Sequence, residues 1–357
     1  MRPTAVSGSV HRWPAADVPA TISVVVPCYN EAAHIADLLD AIRDQTLPPT
    51  EIVIADCRSS DDTLGRIAEY PHPSLLPPVQ VISCEVRSTP LAVNRAIEAS
   101  TGEIIVRLDG HSRPDRDYVS RCVDLLGTSQ AGVAGGIWRI RPGADTRAAT
   151  AIALAAAHPF GAGDALYRTG HGLTAPRNVD TVPFGCFRRE LWEEVGGFDE
   201  HFLTNQDYEF NYRVRLAGHR VILDPRIRAT YVARATMWQL ARQYFRYGWW
   251  KAETLKRHPA SLRWRQAVPA GFVGVLSVLA AASFAEPRAA LALAGVLLIY
   301  GATAVAAAAH CLTRTRQWTL LPHLPIVFAT IHITWGLGLL TNVFTGGTWP
   351  SRVARPR

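Results

Sequence analysis

The sequence predicts an α/β fold, a mostly parallel sheet flanked by helices, followed by an α-helical membrane region. Three observations predict it. Between residues 21 and 108, short β-branched apolar runs alternate with segments whose apolar residues recur at helical spacing. Those runs repeatedly end in, or just before, an acid: Glu31, Asp56 and Asp109. From residue 266 on, charge nearly vanishes. No Asp, Glu, Lys or Arg occurs in 266–285, 289–313 or 317–351, and a bilayer needs about 20 apolar residues to be crossed.

Taken in order, residues 1–20 are polar and proline-containing, without the apolar core of a signal peptide. They read as a loose tail, which leaves the globular part in the cytoplasm. Residues 21–26 form a continuous apolar run, the mark of a central parallel strand. Pro27-Cys28-Tyr29-Asn30-Glu31 closes it, with Asn30 as the N-cap of a helix carrying Ile35, Leu38, Leu39 and Ile42. Residues 51–56 are a second strand, and Ser59-Ser60-Asp61-Asp62-Thr63 caps the next helix. Residues 78–82 are a third strand, 91–99 a helix and 103–108 a fourth strand. The α/β domain spans 21–235.

Charge resolves by segment. The chain of 357 residues carries +7. Residues 242–265 hold seven cations and Glu253, whereas residues 1–241 are net negative. The basic excess is therefore no nucleic-acid footprint. It is a juxtamembrane cluster of the kind found on cytoplasmic flanks, facing lipid headgroups. Six cysteines (28, 57, 84, 122, 186, 311) show no metal spacing and read as reduced core thiols. G-x-G-x-x-G and the P-loop pattern are both missing, which excludes the commonest dinucleotide and NTP sites.

The fourth strand runs into Arg107-Leu108-Asp109-Gly110-His111. In open α/β sheets, ligands sit at the carboxyl ends of strands. An Asp there, with a second donor two residues on, suits a divalent cation held against a diphosphate. A strand-terminal Asp is equally a turn former. Three strand-end acids on one sheet edge favour a site.

These residues resemble a family. Val24-Val25-Val26-Pro27-Cys28-Tyr29-Asn30-Glu31 resembles the opening strand of family 2 glycosyltransferases, which have the GT-A fold. Asp56-Cys57-Arg58-Ser59-Ser60-Asp61-Asp62-Thr63 is similar to the family's D-D-G-S-x-D-x-T turn, with Cys57 for the second Asp and Arg58 for the Gly. Leu108-Asp109-Gly110-His111 stands where the family has D-x-D. Gly196-Gly197-Phe198-Asp199-Glu200 with Asn205-Gln206-Asp207-Tyr208-Glu209 is similar to its G-G-F-D-E…E-D segment. The subgroup most resembled is that of bacterial succinoglycan-type exopolysaccharide transferases with C-terminal membrane helices. The resemblance implies that Asp56 meets the nucleotide base and that Asp109 lies at the metal and diphosphate. Asp207 is then the general base. Pro27, Tyr29, Glu31, Asp56, Asp109 and Arg246 form the donor-binding set. A divalent cation (Mn²⁺ or Mg²⁺) is the implied cofactor, with Asp109 and His111 as its protein ligands.

Asp207 also reads as a helix N-terminal acid, because Phe210, Val214 and Ala217 follow at helical spacing. Glu209 is the alternative base. Pro183-Phe184-Gly185-Cys186 either lines the acceptor side or is only a strand and turn. Gly161-Ala162-Gly163 reads as a mobile loop after His158, itself a satisfied polar residue rather than a ligand.

Residues 236–265 interleave Trp238, Tyr244, Phe245, Tyr247, Trp249 and Trp250 with Arg242, Arg246 and Lys251. That pattern is an amphipathic interfacial segment. Gln243-Tyr244-Phe245-Arg246-Tyr247 also resembles the Q-x-x-R-W motif of membrane polysaccharide synthases, which implies Arg246 at a diphosphate. The membrane region is 266–350, with candidate spans 267–285, 289–312 and 320–344, followed by a basic tail, 351–357. A third full span would put the tail's arginines outside, against the charge bias; the length of the run favours three spans.

The expected protein is an inverting, metal-dependent glycosyltransferase of the inner or plasma membrane, multi-pass, with its catalytic domain in the cytoplasm. It would move sugar from a UDP- or GDP-sugar to a lipid-linked or membrane-proximal saccharide in polysaccharide biosynthesis. Its partners are the nucleotide sugar, the acceptor and membrane lipids, with no nucleic acid. Alternatives are a processive polysaccharide synthase, a non-catalytic nucleotide-sugar-binding scaffold, and a membrane assembly protein with an inert α/β domain.

Overall fold

The computed structural model describes residues 20–170 and 172–347; most of the N-terminal tail and all of the basic C-terminal tail of the sequence reading lie outside them. The chain forms two compact units. The first comprises residues up to Ile137 together with Gly172–Ala229, and the second Trp138–His171 together with the chain from Thr230 on.

The first unit is built on a mixed sheet. Strands β1 (Ile22–Cys28), β2 (Glu51–Asp56), β3 (Val79–Ser83) and β4 (Ile104–Arg107) lie in the order β3-β2-β1-β4 and are parallel. Beyond β4 come β5 (Arg113–Pro114), β6 (Val133–Arg141), β7 (Arg177–Asn178), β8 (Cys186–Arg188) and β9 (Val221–Val232), of which β8 pairs with β4 antiparallel. Every residue of β1 is buried, as a strand covered on both faces requires. At the sheet edge, β3 exposes Val79 and Val81.

Helices α1 (Ile35–Arg43), α2 (Thr63–Ala68), α3 (Thr89–Ala99) and α4 (Tyr118–Ser129) follow the successive strands. The chain runs from β1 outward to β3, then returns to place β4 on the other side of β1. This reversal opens a crevice at the carboxyl ends of β1 and β4, the switch point where α/β sheets bind ligands.

Two local expectations are corrected. Asn30 does not cap α1: it has φ +54°, and the helix starts four residues later, after His34. The glycines at 161 and 163 do not form a loop alone. Helix α5 (Arg147–Ala157) is followed by a short helix, α6 (Pro159–Ala162), whose first turn is capped by the His158 ring accepting from Phe160 N–H at 3.1 Å.

After the short helix α7 (Leu166–Thr169), the chain returns to the first unit for α8 (Arg189–Glu194) and α9 (Gln206–Leu216). The second unit ends in α10 (Met237–Arg257), α11 (Trp264–Ala282), α12 (Pro287–Thr315) and α13 (Leu324–Thr345). The last three are long and apolar enough to cross a membrane. Glycines let α10 and α13 meet at backbone distance. A Cβ on Gly248 would lie 1.9 Å from the Trp335 carbonyl oxygen, and one on Gly338 would lie 2.0 Å from that of Phe245.

A carbonyl oxygen in a helix cannot give way. Gly248→Ala should therefore destabilise the protein by about 1–3 kcal/mol through overpacking. Gly271→Ala, in α11 with open space around its Cβ position, should be neutral or gain up to about 1 kcal/mol in helix propensity. Thermal unfolding in detergent compares them; equal melting temperatures would refute the close-packing account.

Candidate active site

At the end of β4 sits a buried guanidinium. The Arg107 side chain is 2% exposed and lies between two carboxylates that are each about a quarter exposed. Its Nη1 donates to both oxygens of Asp207 at 2.6 Å, and its Nη2 donates to Asp109 Oδ1 at 2.6 Å. The Phe184 ring lies 5.7 Å from the guanidinium carbon. Arg107 thus joins Asp109, at the end of β4, to Asp207, in the first turn of α9. The sequence reading named both carboxylates and overlooked the arginine joining them. Its signal was a charged residue inside an apolar strand.

Burial pushes the Asp207 carboxyl above the usual carboxylate range. Arg107 opposes this and Asp109 reinforces it. Asp207 also occupies the helix N-terminal position the sequence suggested, beyond Asn205, which has φ +67°. Glu209 is not available as the alternative base. It is buried and accepts from Arg213 Nε at 2.7 Å and Nη2 at 2.8 Å, while the same guanidinium holds the carbonyls of Val195 and Gly197.

Across the crevice, Glu31 Oε1 meets His111 Nδ1 at 2.8 Å. Gly110 makes that approach possible, since a Cβ there would stand 2.7 Å from Glu31 Cγ. Pro27 is buried within β1, in register with Ala55. The Tyr29 ring carries the exposed Arg87 guanidinium 3.7 Å above its centroid, a cation at the strand ends that the sequence reading did not name.

Much of the Asp56–Thr63 motif is scaffolding. Asp56 accepts from Ser59 N–H at 3.0 Å and from the Ser59 hydroxyl at 2.5 Å. Asn30 N–H donates to Ser59 Oγ, Glu31 N–H to Thr63 Oγ1 and Ala32 N–H to Asp61 Oδ2. These bonds lace the loop after β2 to the loop after β1. Arg58, standing where the resembled pattern has glycine, has φ +60°, a conformation glycine adopts without strain. In the same way Asn94 on α3 pins the Gly196–Glu200 turn through both Phe198 N–H and the Phe198 carbonyl.

Glu31 and His111 are therefore brought together, Asp109 and Asp207 are joined through Arg107, and Asp56 holds its own turn. Arg246 lies in the second unit, exposed on α10. Among the described residues, no three His, Cys, Asp or Glu are grouped to hold a metal ion. All six cysteines are buried and unpaired.

Comparison with known proteins decides the family. The model of the family described as glycosyl transferase family 2 matches residues 23–195. The chain is 32% identical over 254 residues to the succinoglycan biosynthesis protein ExoA of Rhizobium meliloti (strain 1021), covering 69% of this chain and 73% of that protein. The chain belongs to glycosyltransferase family 2. As a family 2 enzyme it acts in polysaccharide or glycoconjugate biosynthesis.

A second similar protein is the dolichyl N-acetyl-alpha-D-glucosaminyl phosphate 3-beta-D-2,3-diacetamido-2,3-dideoxy-beta-D-glucuronosyltransferase of Methanococcus voltae. It is 24% identical over 71% of this chain and 79% of that one. Among solved structures, the mannosyltransferase PcManGT from Pyrobaculum calidifontis, in complex with GDP-Man and Mn²⁺, superposes with a TM-score of 0.57 at 22% identity. The match covers 94% of this chain and 92% of that one. It shows that the fold is GT-A-like.

Removing Arg107 would leave two carboxylates facing each other without their cation. Breaking one side of such a buried network costs about 3–5 kcal/mol. In Arg107→Gln the Asp207 carboxyl, already raised by burial, loses the cation that opposes this rise, so the stability deficit should be largest at neutral pH and shrink as acid protonates it. Thermal melts of variant and parent at pH 4.5 and 7.5 measure this; a pH-independent difference would remove the ion network from the explanation.

Proposed function

We propose that this family 2 enzyme is an inverting glycosyltransferase that moves a sugar from a nucleotide-sugar donor to a lipid-linked or membrane-proximal saccharide. The observation that carries the proposal is the Asp109–Arg107–Asp207 bridge at the switch-point crevice. It holds Asp109 and Asp207 close together, which supports a reading in which Asp109 serves the donor's diphosphate side and Asp207 the acceptor hydroxyl.

The donor lies over the carboxyl ends of β1, β2 and β4, with its base towards Asp56 and Tyr29 and its diphosphate towards Asp109. Asp207 takes the proton of the acceptor hydroxyl as that oxygen attacks the anomeric carbon and the bond to the diphosphate breaks. One displacement inverts the configuration. The raised Asp207 carboxyl is a better base than an ordinary Asp, as general-base chemistry near neutral pH requires. Arg107 keeps that carboxylate in place and prevents it from turning away with solvent.

The residues fit a divalent cation completed by the donor. Asp109 keeps Oδ2 uncommitted among the described residues, Oδ1 being taken by Arg107. Glu31 accepts from His111 Nδ1–H, the arrangement that turns the other imidazole nitrogen into a lone-pair donor. One carboxylate oxygen and one imidazole nitrogen suit Mn²⁺ or Mg²⁺, with phosphate oxygens and water filling the remaining positions. When bound, such a cation neutralises charge on the departing diphosphate. The mannosyltransferase solved with GDP-Man and Mn²⁺ supports this choice. The cation-rich 242–265 segment beside the apolar helices supports a cytoplasmic catalytic unit under the positive-inside rule.

Donor turnover by the detergent-solubilised protein, followed as nucleotide release over a panel of UDP- and GDP-sugars, tests the reading. Asp207→Asn should lower turnover about 10²–10⁴-fold while donor binding persists. Full turnover in that variant would dismiss Asp207 as the base. The acid limb of kcat/KM should lie above the ordinary Asp value of about 3.9, because Asp207 must be ionised to act. Glu31→Gln should weaken activating Mn²⁺ about 10–100-fold in a metal titration, and an unchanged midpoint would separate the Glu31–His111 pair from the metal.

A further inference from the structure

The second unit contains a cation with no carboxylate. Arg168, half-buried in α7, donates from Nε to the Tyr167 hydroxyl at 3.2 Å. Its other guanidinium N–H groups meet no acceptor among the described residues. Around it stand aromatic faces. Its Cζ lies 5.2 Å from the Trp138 ring centroid, 5.9 Å from Tyr231 and 6.0 Å from Tyr247. Trp138 and Tyr231 are stacked, with centroids 4.2 Å apart and planes 4° apart.

Gln243 orders this place. Its Nε2 donates to the hydroxyl oxygens of Tyr231 at 3.1 Å and Tyr247 at 3.0 Å. The Tyr231 hydroxyl, already an acceptor, therefore has its own proton to give. Burial holds Tyr231 above the ordinary phenol value and Tyr244 up to about 12, against the pull of Arg168, so both remain protonated. The cluster thus presents a guanidinium fork, hydroxyl donors and π-faces, and no negative charge. Arg107, paired with two carboxylates through Nη1 and Nη2, is its opposite.

The planar fork of a guanidinium with open donors can engage two oxygens of a tetrahedral phosphate at once. The surroundings indicate which phosphate. Phe160, eight residues before Arg168, packs on Phe328 of α13 with ring centroids 5.0 Å apart, and His332 of α13 donates from Nε2 to the Phe160 carbonyl at 2.7 Å. The segment carrying the cluster is therefore fastened to one of the membrane-length helices.

We infer that Arg168, with the hydroxyls of Tyr167 and Tyr231, binds the phosphate or diphosphate ester of a lipid-linked acceptor. The inference deepens the acceptor side of the proposed function and rests on that reading. It moves the phosphate contact in this segment from Arg246, which the Q-x-x-R pattern pointed to, onto Arg168. Gln243 of that pattern becomes a positioning residue for the tyrosines. The donor's diphosphate has the same chemistry, and the experiment separates the two sources.

The full-length protein in phosphatidylcholine nanodiscs is titrated with undecaprenyl phosphate and, separately, with UDP and GDP. Arg168→Gln should weaken undecaprenyl phosphate binding about 10–100-fold, the loss of a charged hydrogen-bonding pair, and leave nucleotide binding unchanged. Tyr231→Phe keeps the stacked ring, removes one hydroxyl and should weaken the lipid phosphate several-fold. It decides alone if Arg168→Gln does not fold. Parental lipid-phosphate affinity in the folded variants overturns the proposal. Weakened nucleotide binding with unchanged lipid binding assigns the cluster to the donor and also overturns it. Nucleotide release by the parent protein is measured alongside: its absence would count against the transferase reading, whereas a failure of this inference alone would leave it intact.

Discussion

An arginine in the interior of a sheet is expensive to bury, and two carboxylates make Arg107 tolerable. Its three hydrogen bonds of 2.6 Å join the end of β4 to the start of α9 across a long sequence separation. Ion networks of this kind are weak evidence for net stability. What this one supplies is position. Neither Asp109 nor Asp207 can rotate freely while it shares the guanidinium, and each is held at the crevice the strand order creates. The same cation opposes the burial that raises Asp207, so it moderates basicity while fixing geometry.

Around this bridge, the loops at the carboxyl ends of β1 and β2 behave as one laced unit. Asn30, Arg58, Phe184 and Asn205 all have positive φ although none is glycine. Such residues tend to gather at ligand sites, where surrounding bonds over-determine the backbone. Here the bonds are identifiable: Ser59, Asp61 and Thr63 hold the 30–32 backbone, and Tyr118 donates to the Phe184 carbonyl at 2.8 Å. These bonds hold the loops at the strand ends in one conformation.

The alternation of apolar runs and helical periodicity located the parallel half of the sheet, because a strand covered on both faces has few polar options. The strand-end acids were legible for the same reason: their positions follow from strand length. What the sequence concealed was pairing between distant segments. Nothing local says that Arg107 faces Asp207, that Glu209 is consumed by Arg213, or that Arg168 stands among Trp138 and Tyr231. The Asn30 cap was misplaced because Asn suits a left-handed turn as well as a helix N-terminus, and the lacing to Ser59 and Ser60 selected the turn. Gly161 and Gly163 suggested a loop, and the ring of His158 supplied the cap that makes the preceding turn helical.

The glycine contacts between α10 and α13 have a mechanical meaning. With side chains between them, two helices can slide and re-pack rotamers. With backbone against backbone at Gly248 and Gly338, there is little compliant material to absorb displacement. Tyr247, next to Gly248, and Gln243, five residues before that glycine on α10, are thus carried on a stiff lever whose fulcrum is a membrane-length helix. A change in the tilt of α13, such as a thicker or thinner bilayer imposes, would reach the tyrosine hydroxyls with little loss. For an α13 that spans a bilayer, the bilayer's thickness would act as a setting of the cage around Arg168, felt by the protein as geometry.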